Sequence, residues 1–287
     1  MQPEPAALAW QPVCQRLDID GVQLRVAVLG SGPPLLLING IGANIEMWAA
    51  LATQLPGRCL VAFDCPGTGD SPALPHRVRM PALARLVVGL LDKLGIGRTD
   101  VLGYSWGGAL AQELAHQAPH RVRSLVLAAT IPGVGGQPPA PWVVAAMATP
   151  IRYSSSTYLR LVAPLVYGAS IGADEPHLDA RRHRPPSARG YSHQLYAITG
   201  WSSRPWLRTL RLPVLVLTGE GDRLAPRRNA TILARSIPGA RLKMLPGGHL
   251  FLLQQAEVAG RTITAFLDGQ DLPADGQRLP VIGRSTT

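Results

Sequence analysis

A chain of 287 residues can bury one sizeable core with an insertion, and its 46% hydrophobic and 16% charged residues describe a globular protein, not a disordered one. No apolar run reaches the roughly 18 residues of a membrane span, and the first residues lack a basic region followed by an apolar stretch; the expectation is a cytoplasmic protein with no transmembrane segment. The net charge of +10 comes from scattered arginines without a recognition motif, which argues against nucleic acid as a partner. Three cysteines, Cys14, Cys59 and Cys65, lack the number for a disulfide framework and the spacing for a metal site.

Residues 1–20 read as an N-terminal extension. From Gly21 the pattern alternates strands and helices, beginning with strands over Val22–Leu29 and Leu35–Ile38. The second of these runs into Asn39-Gly40-Ile41-Gly42-Ala43-Asn44, where glycines let the backbone approach a ligand. A helix near Ile45–Leu55, a strand over Cys59–Phe63 and a helix across Val78–Leu94 follow; in the last, Leu83, Leu86, Val87, Leu90, Leu91 and Leu94 keep helical spacing. The strand Thr99–Leu102 ends in Gly103-Tyr104-Ser105-Trp106-Gly107-Gly108, then come a helix over Ala109–Ala118 and a strand over Arg123–Ala128. Such alternation predicts an α/β fold, with a mostly parallel central sheet flanked by helices on both faces.

The alternation stops after Thr130. Residues 131–206 hold proline clusters, short helical pieces and eight of the twelve Trp and Tyr residues, as expected of an inserted helical lid over the carboxyl ends of the strands. These aromatics line a pocket or form the lid's own core. The core therefore comprises residues 21–130 and 207–268. The strand Leu212–Leu217 leads to Glu220, Gly221 and Asp222, and the strand Arg241–Leu245 leads to Gly247, Gly248 and His249. Residues 269–287, polar and rich in Gly and Pro, read as a flexible C-terminal tail.

A serine between glycines at a strand-to-helix corner is a way to expose a nucleophile, because only small neighbours tolerate so sharp a turn. Its hydroxyl is a poor nucleophile near neutral pH and needs a base, and the base needs an orienting acceptor. Ser105, Asp222 and His249 each follow an expected strand and appear in the order nucleophile, acid, histidine. Asp222 is preferred to Glu220, two residues away. The backbone N–H groups of Ile41 and Trp106 are the candidate oxyanion hole, with Asn39 and Gly40 supporting the loop. Tyr104, His193 and Trp201 are candidate substrate-pocket residues, and no cofactor or metal is expected.

With these motifs in place, the chain resembles the α/β-hydrolases. More narrowly it resembles intracellular depolymerases of medium-chain-length poly(3-hydroxyalkanoate), through Asn39–Asn44, Ser105–Gln112, Ala148–Tyr153, Gly200-Trp201 and Gly248–Leu252. The resemblance implies a serine ester hydrolase that releases 3-hydroxy acids from stored polyester at the surface of cytoplasmic granules, and it implies the same triad. The segment Ala169–Arg189 departs from the family. A small-molecule carboxylesterase or lactonase with the same triad is the alternative; a ligand receptor on a hydrolase scaffold is disfavoured by the intact triad. Acyl length, endo or exo cleavage and oligomeric state leave no signal in the sequence.

Overall fold

The computed structural model describes residues 12–148, 150–169 and 183–273. Eight strands form one sheet: β1 (Cys14–Ile19), β2 (Val22–Leu29), β3 (Pro34–Ile38), β4 (Cys59–Phe63), β5 (Thr99–Tyr104), β6 (Val122–Ala128), β7 (Val214–Gly219) and β8 (Arg241–Leu245). Their spatial order is β1-β2-β4-β3-β5-β6-β7-β8. β1 and β2 pair antiparallel, as do β2 and β4, and every other pair is parallel. The chain thus has the mostly parallel sheet with helices on both faces that its strand–helix alternation predicted.

Central strands of such a sheet are covered on both sides, so they read as continuous apolar runs. Leu35, Leu36, Leu37 and Ile38 of β3 are all fully buried. Leu36 and Ile38 face one core, shared with helices α2 (Met80–Lys93) and α3 (Trp106–Gln117); Leu35 and Leu37 face the other, shared with α1 (Ala49–Ala52) and α10 (Ala256–Leu267). Between β6 and β7 lie α4 (Pro141–Met147), α5 (Ile151–Ser154), α6 (Ser156–Tyr167) and α7 (Ala188–Ile198), which make up the described lid. Helices α8 (Arg228–Ser236) and α9 (Phe251–Gln254) complete the described helices with α10. No helix among the described residues is long and apolar enough to cross a membrane.

Two elements differ from the sequence reading. Residues 14–19, assigned to the extension, form edge strand β1 and pair with β2 through a two-residue turn at Asp20 (φ 52°) and Gly21 (φ 82°). Asp-Gly is a strong hairpin signal because both turn positions need positive φ. The single helix expected near Ile45–Leu55 is instead a 3-10 turn, Ile45–Trp48, followed by the one-turn α1. Residues 1–11 of the extension and 274–287 of the tail lie outside the described residues.

Candidate active site

Strand β5 delivers the chain to Ser105, which takes φ 56° and ψ −118° at the entrance to α3. A non-glycine residue in this region stores about 1–3 kcal/mol of strain, so the surroundings must enforce it. The Ser105 N–H donates to the Ala128 carbonyl at 2.8 Å, and Thr130 Oγ1 donates to the Ser105 carbonyl at 2.7 Å. The flanking glycines permit the close packing that holds the corner. A Cβ on Gly103 would stand 2.6 Å from Ala111 Cβ, and one on Gly107 would stand 2.2 Å from the Ile38 carbonyl oxygen.

The loops after β7 and β8 bring the other two groups to this corner. His249 Nε2 lies 2.9 Å from Ser105 Oγ, and His249 Nδ1 lies 2.9 and 3.0 Å from the two oxygens of Asp222. A carboxylate only accepts, so Nδ1 carries the proton and Nε2 is left as acceptor for the serine hydroxyl. Asp222 is 6% exposed and its Oδ1 accepts from the backbone N–H groups of Leu224 and Ala225, at 3.0 and 2.8 Å. Glu220 is exposed to solvent. His249 is clamped further: its N–H donates to the Tyr167 carbonyl at 2.7 Å, Tyr104 Oη donates to its carbonyl at 2.8 Å, and the Tyr167 ring stacks on the imidazole at 5.9 Å between centroids. Tyr167 comes from lid helix α6. It was one of the lid aromatics that sequence could not divide between pocket and core.

The loop after β3 lies beside the same corner. Gly40 lies against it: an added Cβ would be in van der Waals contact with Ser105 Cβ, at 3.4 Å. Asn39 Nδ2 donates to the Asn44 carbonyl at 2.6 Å, closing the loop on itself. The Gly42 N–H donates to Gln194 Oε1 at 2.7 Å, while Trp106 Nε1 donates to the Gln194 carbonyl at 2.9 Å. Gln194, on α7, therefore ties together the two segments that carry the Ile41 and Trp106 N–H groups. Sequence reasoning passed over it in favour of its neighbour His193. The signal was helix phase: Tyr191, Gln194 and Ala197 are buried at three-residue intervals, and His193 lies off that stripe.

Residues 33–158 match the family of the alpha/beta hydrolase fold. Over 262 residues the chain is 41% identical to a poly(3-hydroxyalkanoate) depolymerase of Ectopseudomonas oleovorans, covering 89% of this chain and 92% of the relative. This chain belongs to the α/β-hydrolase family. The hydrolase is also 32% identical over 246 residues to a pimeloyl-[acyl-carrier protein] methyl ester esterase of Aromatoleum aromaticum, covering 78% and 94% of the two chains. Among solved structures it resembles the enol-lactonase of Burkholderia xenovorans, with a TM-score of 0.76, 26% identity and coverage of 88% and 100%.

Two hollows of the hydrolase meet at Ser105. The larger, about 380 Å³, is walled by apolar side chains of the core and the lid, among them Ile131, Val144, Met147, Leu195 and Ile198. The smaller, about 20 Å³, lies on the His249 side and is lined by Gly40, Tyr104, Arg152, Tyr153 and Tyr167. Ile41 lines both and Trp106 lines the larger. Arg152 is 2% exposed, with its guanidinium carbon 4.7 Å from the Tyr153 ring centroid and 5.2 Å from that of Tyr191.

Of the three candidate pocket residues, only Tyr104 lines a hollow beside Ser105. His193 lines a separate hollow of about 10 Å³ with Cys65, Leu83, Trp106 and Gln194, and neither of the two hollows at Ser105. Trp201 is a structural joint: its Nε1 donates to Glu113 Oε2 of α3 at 2.7 Å and its ring packs edge-on against Trp206. A tryptophan indole needs a buried acceptor, and the carboxylate of Glu113 satisfies it away from the two hollows at Ser105.

Proposed function

We propose that the hydrolase cleaves the ester bonds of a medium-chain-length poly(3-hydroxyalkanoate), with Ser105, His249 and Asp222 as its catalytic triad. Ser105 Oγ attacks the ester carbonyl while His249 Nε2 takes its proton. The tetrahedral oxyanion is held by the N–H groups of Ile41 and Trp106, each worth about 3 kcal/mol to the transition state. As the acyl C–O bond breaks, His249 gives the proton to the leaving ester oxygen, and the next unit departs with a free 3-hydroxyl, leaving an acyl-serine. Water, deprotonated by the same imidazole, attacks the acyl-serine; the imidazolium then passes that proton to Ser105 Oγ as the 3-hydroxy acid leaves. Asp222 fixes the tautomer and offsets the charge of the imidazolium.

The observation that carries this reading is the apolar hollow of about 380 Å³ opening on Ser105, itself 2.9 Å from His249 Nε2. Such a space suits an alkyl side chain more than a charged or heavily hydroxylated substrate. The likeness to the Ectopseudomonas oleovorans depolymerase supports the polymer. The likeness to a methyl ester esterase and to an enol-lactonase favours a second reading, a small ester or lactone as substrate.

A substrate panel separates the two. Purified protein is expected to clear an amorphous poly(3-hydroxyoctanoate) latex and to release 3-hydroxy acids; cleavage of p-nitrophenyl esters with no clearing would select the second reading. Ser105→Ala is expected to lose at least about 10⁴-fold in kcat with an unchanged melting temperature. Normal turnover in that variant would refute the mechanism.

A further inference from the structure

The lid presents to water a face that globular proteins ordinarily hide. Nine large hydrophobic side chains are exposed among the described residues, and six of them lie between Val134 and Leu165. Single exposed apolar residues need no explanation, but a concentration of them on one segment marks an interaction surface. In α6, Leu159, Ala163, Val166 and Tyr167 face inward, where they form a small core with Val143 of α4 and with Leu250. Leu161, Pro164 and Leu165, three and four residues apart, stand on the exposed face. Leu161 is 75% exposed and Leu165 54%.

Helix α4 reads Pro-Trp-Val-Val-Ala-Ala-Met, with no polar side chain, so whatever it turns outward is apolar. Trp142 is 63% exposed and Val144 53%. Val144 also lines the large hollow at Ser105, as does the exposed Ala148, so the apolar surface continues into the mouth of that hollow. Charge is nearly absent from this region. The sequence has no Asp or Glu between Glu113 and Asp174, and within 131–169 its only charged residues are Arg152 and Arg160. Arg152 is buried. The surface therefore suits a partner that is apolar and uncharged.

We infer that this face, centred on Trp142, Leu161 and Leu165, seats the enzyme on the surface of a solid, water-insoluble polyester, so that a chain leaving the bulk phase enters the hollow at Val144. The inference rests on the polymer reading above, because it takes the partner to be the substrate itself. Attraction between apolar surfaces is not screened by salt, whereas attachment by arginines to an anionic layer is. Docking on the polyester therefore persists at high ionic strength.

The test is co-sedimentation of the full chain with amorphous poly(3-hydroxyoctanoate) latex, in a Ser105→Ala background so that the particles stay intact. Leu161→Asp/Leu165→Asp is expected to weaken binding at least tenfold, at 0.1 M and at 1 M NaCl alike. In the active protein the same pair should leave kcat/KM for p-nitrophenyl octanoate unchanged, since neither residue lines the hollow. Trp142→Ser, at an exposed position, serves as a second variant should the double one fold poorly. Equal sedimentation of wild type and folded variants would overturn the inference. So would loss of binding to phosphatidylglycerol vesicles but not to latex, or conversion of a wild-type dimer to monomers with latex binding intact, which would assign the face to a membrane or to a second copy. Protein that binds the latex through this face yet releases no acid overturns the depolymerase reading alone.

Discussion

At the scale of single residues, the site depends on side chains that hold backbone groups in place. Gln194 is the clearest case: one residue of the lid accepts from the Gly42 N–H at 2.7 Å and, through its carbonyl, from Trp106 Nε1 at 2.9 Å. It spans the two segments whose N–H groups are assigned to the oxyanion. Gln194→Leu keeps the volume but leaves the Gly42 N–H buried without its acceptor, at a cost of about 1–3 kcal/mol, and frees the loop to shift. A displacement of a few tenths of an ångström to 1 Å at a reacting centre lowers rates by up to about 100-fold. The expectation is a kcat reduced about tenfold or more on p-nitrophenyl octanoate with KM within about threefold, measured by steady-state kinetics. A change confined to KM would remove Gln194 from the positioning of the oxyanion. Tyr104 and Tyr167 act in the same way on His249, through its carbonyl and its N–H.

At the scale of elements, a buried carboxylate joins the loops that surround the site. Asp64, fully buried after β4, accepts from the Ile45 N–H at 2.8 Å, from the Asp70 N–H at 3.1 Å and from Arg25 Nη1 of β2 at 3.1 Å. Arg184 of the lid adds its own pairs, 2.9 Å to Asp70 and 2.9 Å to Glu46. The partners respond oppositely to burial. Burial works against the charge of Arg25, but Glu46 and Asp64 outweigh it and hold the guanidinium charged. Burial pushes the Asp64 carboxyl up to about 6, against the pull of the Asp70 N–H, Arg25 and the Ile45 N–H. A folded pKa above the unfolded value of about 3.9 means that the fold favours the protonated acid. That contribution is complete below about pH 4 and is lost as pH rises through about 6, a change of about 3 kcal/mol. In urea titrations the stability of wild type relative to Asp64→Asn should therefore fall between pH 4 and 7; a pH-independent difference would refute the assignment.

At the scale of the molecule, neither core nor lid makes the hollow at Ser105 alone. The hollow of about 380 Å³ has Ser105, Ala129 and Thr130 on the core side and Met147, Leu195 and Ile198 on the lid side. Filling it from the lid should shorten the accepted acyl chain: Ile198→Trp is expected to lower the kcat/KM ratio of octanoate to acetate p-nitrophenyl esters about tenfold, since each methylene is worth about 1–3 kcal/mol in such a pocket. An unchanged ratio would place the acyl chain elsewhere. Much of this architecture was legible in local pattern. The runs Val22–Leu29, Cys59–Phe63 and Arg241–Leu245 coincide with strands, and the small residues around Ser105 marked its corner. Strand periodicity and the sterics of a tight turn act over a few residues, and sequence records them directly. Hairpin strand β1 carried its Asp-Gly signal and was still missed, because an edge strand buries too little to show a strong pattern. The roles of Gln194, Trp201 and Tyr167 depended on which face of a helix meets which loop more than 80 residues away. By itself the sequence determined the sheet and the strand-to-helix corner and singled out the three residues proposed as nucleophile, base and acid, since each follows from neighbours along the chain. Only the tertiary structure decided which aromatics wall the hollows at Ser105 and which brace the scaffold, because packing between distant segments is set by the folded geometry and leaves no local periodicity.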